Sequence, residues 1–372
     1  MKAIKVSYLA MGALVATSFA SVPALAEPSV PYQTEVVAEG LGFPWNVAFL
    51  PDGTILLTEL DGRLRVMRDG ALDPTPVLGV PPVYRRSQGG LFDVVPHPDF
   101  MTNGLIYLSY AHGEPDANAT RVARAKFDGA ALTDLEVIFE AAPLKATPAH
   151  YGGRIAFAPD GTLFLTLGDG FNYREEAQNR ANTLGTIVRL NEDGSVPSDN
   201  PFVGEEGVRP EIYSYGHRSP QGLFITEDGT VYMNEHGPQG GDEINLVKAG
   251  ANYGWPIATY GLDYTGARIS PFTRYEGVEE PIKYWVPSIA PASLELYTGD
   301  LFEAWRGDFL VAGLVPGDVR RVDMEDGQVV GEEILFAEFG SRIRDVRMGP
   351  DGALYVLTDG EDGKVIRVTP AD

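Results

Sequence analysis

Apolar residues in this chain fall into short runs bounded by Gly, Asp and Pro, such as Val47-Ala48-Phe49-Leu50, Thr54-Ile55-Leu56-Leu57-Thr58 and Leu64-Arg65-Val66-Met67. Runs this short, rich in β-branched and aromatic residues and flanked by turn formers, predict strands. An i, i+3, i+4, i+7 stripe is rare, and Arg174 to Asn182 is the best candidate for a short helix or a loop. One pattern recurs: a hydrophobic strand end, an Asp-Gly turn, then another strand. It appears at Phe49 to Leu56, Phe157 to Phe164, Ile225 to Tyr232 and Met348 to Tyr355. Gly supplies the positive φ that a tight turn demands. Degenerate copies at Pro96 to Leu108 and Trp305 to Ala312 fill the two double-length gaps. Six units of roughly 50–60 residues match the size of four-stranded blades. The pattern predicts an all-β, six-bladed β-propeller with four-stranded antiparallel blades. A large β-sandwich has no reason to repeat one hairpin six times.

The first 26 residues stand apart. Lys2 and Lys5 precede an apolar stretch from Tyr8 to about Val22, and Ala24-Leu25-Ala26 offers a small-residue cleavage site. This reads as a secretory signal peptide (1–26), leaving 27–372 as a single propeller domain. Beyond it, no apolar run reaches the ~18 residues of a membrane span. The expectation is a soluble, exported, periplasmic protein. With no Cys, disulfides are excluded, and with only five His a zinc centre is disfavoured. The net charge of −23 argues against nucleic acid and anionic membranes as partners. It suits cation binding, and it also keeps an exported protein soluble.

Polar groups set beside the strands are the candidates for chemistry. The strand-like run Thr230 to Asn234 breaks into Glu235-His236-Gly237-Pro238 and then the paired acids Asp242-Glu243, with Asn252-Tyr253-Gly254-Trp255-Pro256 following. Free backbone carbonyls plus carboxylates suit a hard cation, and Ca²⁺ takes about 6–8 oxygens; a polar hairpin loop has the same look. His150, before Gly152-Gly153, is either a hydrogen-bonded core residue or a base. A hairpin could return Asp169 beside it, fixing the imidazole tautomer. Arg218, in Tyr215-Gly216-His217-Arg218-Ser219, either holds an anion or bonds loop carbonyls. Arg342 and Arg344 point to one side of a strand, which calls for a salt-bridge cluster or a ligand with carboxylates. Gln88 sits before Gly89-Gly90, in what is otherwise a plain turn. No phosphate-binding Gly-rich loop and no Gly-x-Ser-x-Gly elbow is present.

Taken in order, Gln88-Gly89-Gly90-Leu91, His150 with Gly152-Gly153-Arg154, Gly168-Asp169, Gly216-His217-Arg218, Glu235 to Pro238, Gly241 to Asn245, Asn252 to Pro256 and Arg342 to Val346 resemble the soluble pyrroloquinoline-quinone (PQQ)-dependent aldose sugar dehydrogenases. The resemblance spans nearly all of the chain after residue 26. It implies oxidation of the anomeric C1 hydroxyl of an aldose to a lactone, with His150 as base, Asp169 orienting it and Arg218 stabilising charge on the quinone. It implies that Gln88, Arg218, Ser219, Arg342 and Arg344 hold the quinone. One Ca²⁺ would lie on the Gly237 and Pro238 carbonyls. A second, structural Ca²⁺ would use Glu243 and the Tyr253 backbone, with Asp242 beside them. Electrons would pass to an external acceptor, from a monomer or homodimer. Two departures stand out: Ser219 replaces the usual Asn, and Val315 falls where a Lys is expected, leaving Arg320 as a possible substitute cation. A calcium-dependent propeller lactonase and a non-catalytic sugar- or protein-binding propeller are the alternatives.

Overall fold

The computed structural model describes residues 29–371. Its strands form six separate four-stranded sheets, each antiparallel and each built from strands in chain order, apart from the last. The innermost strands are Pro44–Phe49, Leu91–Pro96, Ile155–Phe157, Pro220–Ile225, Pro291–Leu296 and Ile343–Met348. Those of neighbouring blades pack on one another around a common axis. This is the six-bladed propeller the repeat predicts. All six copies of the repeat fall on the same hairpin, between the first and second strands of a blade. In four of them an Asp carboxylate accepts the amide two residues on, as Asp160 does from Thr162 at 2.9 Å. The following glycine holds φ near +80°, for example +84° at Gly161. The Arg174 region forms a 3₁₀ turn, Arg174–Gln178, and no more.

Second strands such as Ile55–Glu59, Leu163–Leu167 and Leu354–Thr358 are buried along their whole length. Each is covered on both faces by adjacent blades, so the apolar runs need not alternate. Six core clusters lie one between each pair of neighbouring blades, and a seventh gathers Trp45, Leu60, Phe92, Ala111 and Tyr151. The last blade is closed by the opposite end of the chain: Tyr32–Leu41 pairs antiparallel with Gly363–Pro370, with Tyr32 opposite Pro370.

The axis itself is polar. Arg154 is fully buried, with its guanidinium 4.2 Å from the Trp45 ring centroid. Its two terminal nitrogens lie 3.6 Å from Asp93 and 3.6 Å from Asp345. The other oxygen of each acid stitches the next blade, taking the amides of Ile155 at 2.8 Å and Val47 at 3.2 Å. The signal-peptide expectation lies outside the described residues.

Candidate active site

In this topology every innermost strand begins, and every second strand ends, at the end of the axis opposite the Asp-Gly turns. Gln88, His150, Arg218 and Arg342 precede or open innermost strands, while Asp169, Gly237 and Asp359 follow second strands. Residues far apart in sequence are therefore delivered to one mouth.

His150 Nδ1 lies 2.6 Å from Asp169 Oδ1. The carboxylate is held by two further donors, the Phe171 amide on Oδ1 and the Trp255 indole N–H on Oδ2, both at 2.7 Å. An ionised Asp169 makes Nδ1 the donor and leaves Nε2 as the free acceptor. The His150 amide is anchored on the Gln88 side-chain oxygen at 2.7 Å. His150 has φ of +51°, a left-handed conformation that a side chain holds only when its surroundings impose it. Burial lowers its proton affinity, the Asp169 bond and charge raise it, and the cations Arg218 and Lys145 lower it; the net direction is down.

The two residues that follow His150 in the chain, Tyr151 and Gly152, line a cavity of about 430 Å³. Its walls bring together the predicted Gln88, Ser219, Arg342 and Arg344, and add Arg85, His236 and Asp359. Arg342 and Arg344 share one carboxylate oxygen, Asp359 Oδ2, at 3.0 and 3.2 Å. Two guanidiniums against one acid leave positive charge unspent, and the buried Nε of Arg344 has no partner. His236 donates Nε2 to the Pro291 carbonyl at 2.8 Å, and burial next to Arg218 pushes its pKa down to about 3, so it is neutral.

Arg218 sits on the adjoining side, where a second cavity of about 310 Å³ is walled by Phe171, Trp255, Tyr264 and Pro238. Its guanidinium donates to the Gly237 carbonyl at 2.6 Å and to the Tyr264 hydroxyl at 3.2 Å. Its amide is fixed on Glu235 at 2.6 Å, and its carbonyl accepts the Asp169 amide at 2.8 Å. The Asp169 backbone thus couples base and arginine.

Glu243 and Tyr253 share a water-sized void with Glu235, Gly237 and Gly241. Burial and the neighbouring Glu235 push the Glu243 carboxyl well above the usual carboxylate range. The Asn245 amide bridges the two acids at 3.3 Å each, and its own oxygen is buried without a partner. Oxygen donors and two adjoining buried acids fit a hard cation. Among the described residues no group of three or more His, Cys, Asp or Glu side chains converges as a metal site. Asp242, expected beside these ligands, also has a structural task. Its oxygens take the Gly237, Ile289 and Ala290 amides and the Ser288 hydroxyl, all within 2.9 Å, which makes it the clamp of the Gly237 loop.

Arg320 does not stand in for the expected lysine. It is paired with Asp318 at 3.0 Å and Glu332 at 2.9 Å, away from the cavity walls. Val315 is 66 % exposed. Arg85, not singled out from sequence, lines the cavity instead, bonded to Asp61 at 2.9 Å. Trp255 was visible in the Asn-Tyr-Gly-Trp-Pro run, but its grip on Asp169 requires the fold.

A six-bladed propeller carrying a buried His–Asp pair beside an arginine-rich axial cavity has the framework of a propeller oxidoreductase. The glucose / sorbosone dehydrogenase family model matches residues 41–367, and the chain belongs to that family. It is 41 % identical over 344 residues to the aldose sugar dehydrogenase YliI of Escherichia coli, covering 90 % of this chain and 92 % of that one. It is 28 % identical over 411 residues to quinoprotein glucose dehydrogenase B of Acinetobacter calcoaceticus, covering 88 % and 85 %. Among solved structures, the apo form of the soluble E. coli aldose sugar dehydrogenase superposes with a TM-score of 0.89 at 39 % identity, over 91 % of this chain and 100 % of that one. The PQQ-bound aldose sugar dehydrogenase of Streptomyces coelicolor superposes with a TM-score of 0.75 at 25 % identity, over 92 % and 99 %.

Proposed function

We propose that this chain is an exported, periplasmic, PQQ-dependent aldose dehydrogenase, its residues 27–372 forming one catalytic propeller. The observation that carries this reading is a buried His150–Asp169 pair next in the chain to Tyr151 and Gly152, which wall a cavity shared with Arg344 and its unpartnered buried nitrogen. A polycarboxylate fits the surplus positive charge there, with Arg342, Arg344, Gln88 and Ser219 as its holders. When bound, the quinone would supply the hydride acceptor for C1 of the sugar, with Ca²⁺ polarising it.

The protein's part is proton handling and charge placement. His150 Nε2 takes the anomeric hydroxyl proton, while Asp169 keeps the other nitrogen protonated and stabilises the imidazolium that forms. Arg218 offers its guanidinium where negative charge develops. The Gly237 carbonyl gives one lone pair to Arg218 and keeps the other for a cation, with Pro238 beside it. Glu243 and Tyr253 are assigned to a structural Ca²⁺, with Asp242 beside them; its Oδ1 accepts only the Gly237 amide and keeps a lone pair.

An external acceptor takes the electrons, from a monomer or homodimer. Among the described residues no helix is long and apolar enough to cross a membrane. The test is reconstitution of purified protein with Ca²⁺ and PQQ, followed by dye reduction with glucose and other aldoses. Turnover that needs both additions supports the reading. Lactone hydrolysis without quinone would favour a hydrolase, and a folded protein without turnover would favour a binding role.

A further inference from the structure

Lys145 is the one buried lysine among the described residues, 3 % exposed, and no step above uses it. Its Nζ donates to the Thr147 carbonyl at 2.6 Å and to Asn118 Oδ1 at 3.1 Å, and lies 3.4 Å from the Tyr151 ring centroid. The Tyr151 hydroxyl donates to the same Asn118 oxygen at 2.7 Å. The Thr147 hydroxyl reaches the Gly170 carbonyl at 2.5 Å. The lysine stem packs against Gly170, where an added Cβ would come within 2.8 Å of its Cδ. Lys145, Asn118, His150, Tyr151 and Gly168 wall one small void. The amine therefore ties the 145–151 segment carrying the base to the strand holding Asn118, while the lysine stem packs on the 168–171 loop carrying Asp169.

We propose that Lys145 is a positioning residue for the base. It clamps the 145–151 segment so that His150 keeps its left-handed backbone and its bond to Asp169, and its positive charge makes the imidazole a poorer proton trap. This rests on the reading of His150 as the base. The charged and titratable groups facing His150 are Asp169, which favours its protonation, Arg218 and Lys145, which oppose it, and His236. Burial pushes the Lys145 pKa down to about 7, against the attraction of Asp169. Its charge is therefore present in the acidic range, where a protonated His150 would be idle.

The experiment uses the full chain without added quinone, following the His150 Nδ1–H proton and the ring's titration by NMR. Steady-state kinetics with Ca²⁺ and PQQ across pH run beside it. Lys145→Met should shift or broaden the Nδ1–H signal and move the His150 midpoint upward by about half a unit or more. It should lower kcat by about tenfold or more while leaving PQQ affinity within about twofold, since the lysine is not in the cavity wall. Lys145→Gln keeps a donor for Thr147 and loses the charge. It should restore the Nδ1–H signal but not the midpoint, and it carries the test alone if the Met variant does not fold. A midpoint that stays at the wild-type value in Lys145→Gln, or an unmoved signal in folded Lys145→Met, overturns the proposal. If wild type fails to oxidise aldoses, the functional reading falls, and the NMR measurements still decide the role of Lys145.

Discussion

Asp169→Asn is the sharpest single perturbation, because the three donors on Asp169 dictate its outcome. The carboxylate accepts from His150 Nδ1, the Phe171 amide and the Trp255 indole. An asparagine supplies only one acceptor oxygen. With that oxygen toward His150 and Phe171, the amide NH₂ faces the Trp255 N–H, donor against donor. With the side chain flipped, the NH₂ faces His150, so Nδ1 must accept and Nε2 must carry the proton. Either arrangement leaves at least one buried donor unsatisfied, at about 1–3 kcal/mol. The flipped form also removes the acceptor that takes the substrate proton, and general-base catalysis contributes about 10²–10⁴-fold. The expected result is a kcat lower by two orders of magnitude or more, with PQQ affinity nearly unchanged, because Asp169 is outside the cavity wall. Dye-linked steady-state kinetics measure the first, and fluorescence titration of apo-protein with PQQ the second. Urea denaturation should show the stability loss separately. A variant retaining kcat within about threefold of wild type would refute the His–Asp base.

Three further outcomes follow from the geometry. Because burial and two cations outweigh Asp169, His150 loses its proton below the ordinary value of 6.5; kcat/KM should rise with pH through an acid limb lying under 6.5, and a limb above 7 contradicts the assignment. Arg344→Gln removes a guanidinium from the anion cavity and should weaken PQQ binding about ten- to hundredfold, read by calorimetry on the apo-protein. Arg154→Met strips the shared cation from two buried acids and should cost roughly 3–5 kcal/mol; a urea midpoint equal to wild type would refute a stabilising role for this axial cluster.

The fold was legible because the repeat is a local signal. Asp-Gly at a tight turn is dictated by φ, and six copies count the blades. The ring closure was not legible, since nothing in Tyr32–Leu41 names Gly363–Pro370 as its partner. His150, Asp169, Gln88 and the two strand arginines could be picked from sequence because their turns precede or follow strands in a common frame. The second task of Asp242 was not legible: only coordinates reveal that it gathers the amides of Gly237, Ile289 and Ala290 and so braces the Gly237 loop. Lys145 and Arg85 gave no pattern. Their significance lies in what surrounds them, namely Asn118 and Tyr151 for one and Asp61 with the cavity for the other.

The pairing of Tyr32–Leu41 with Gly363–Pro370 orders events in time. Among the described strands the first in chain order must wait, edge exposed, for the last, so the ring latches only once every blade between them is in place. Loss of a handful of C-terminal residues would therefore strip one blade of its seam and open the whole circle.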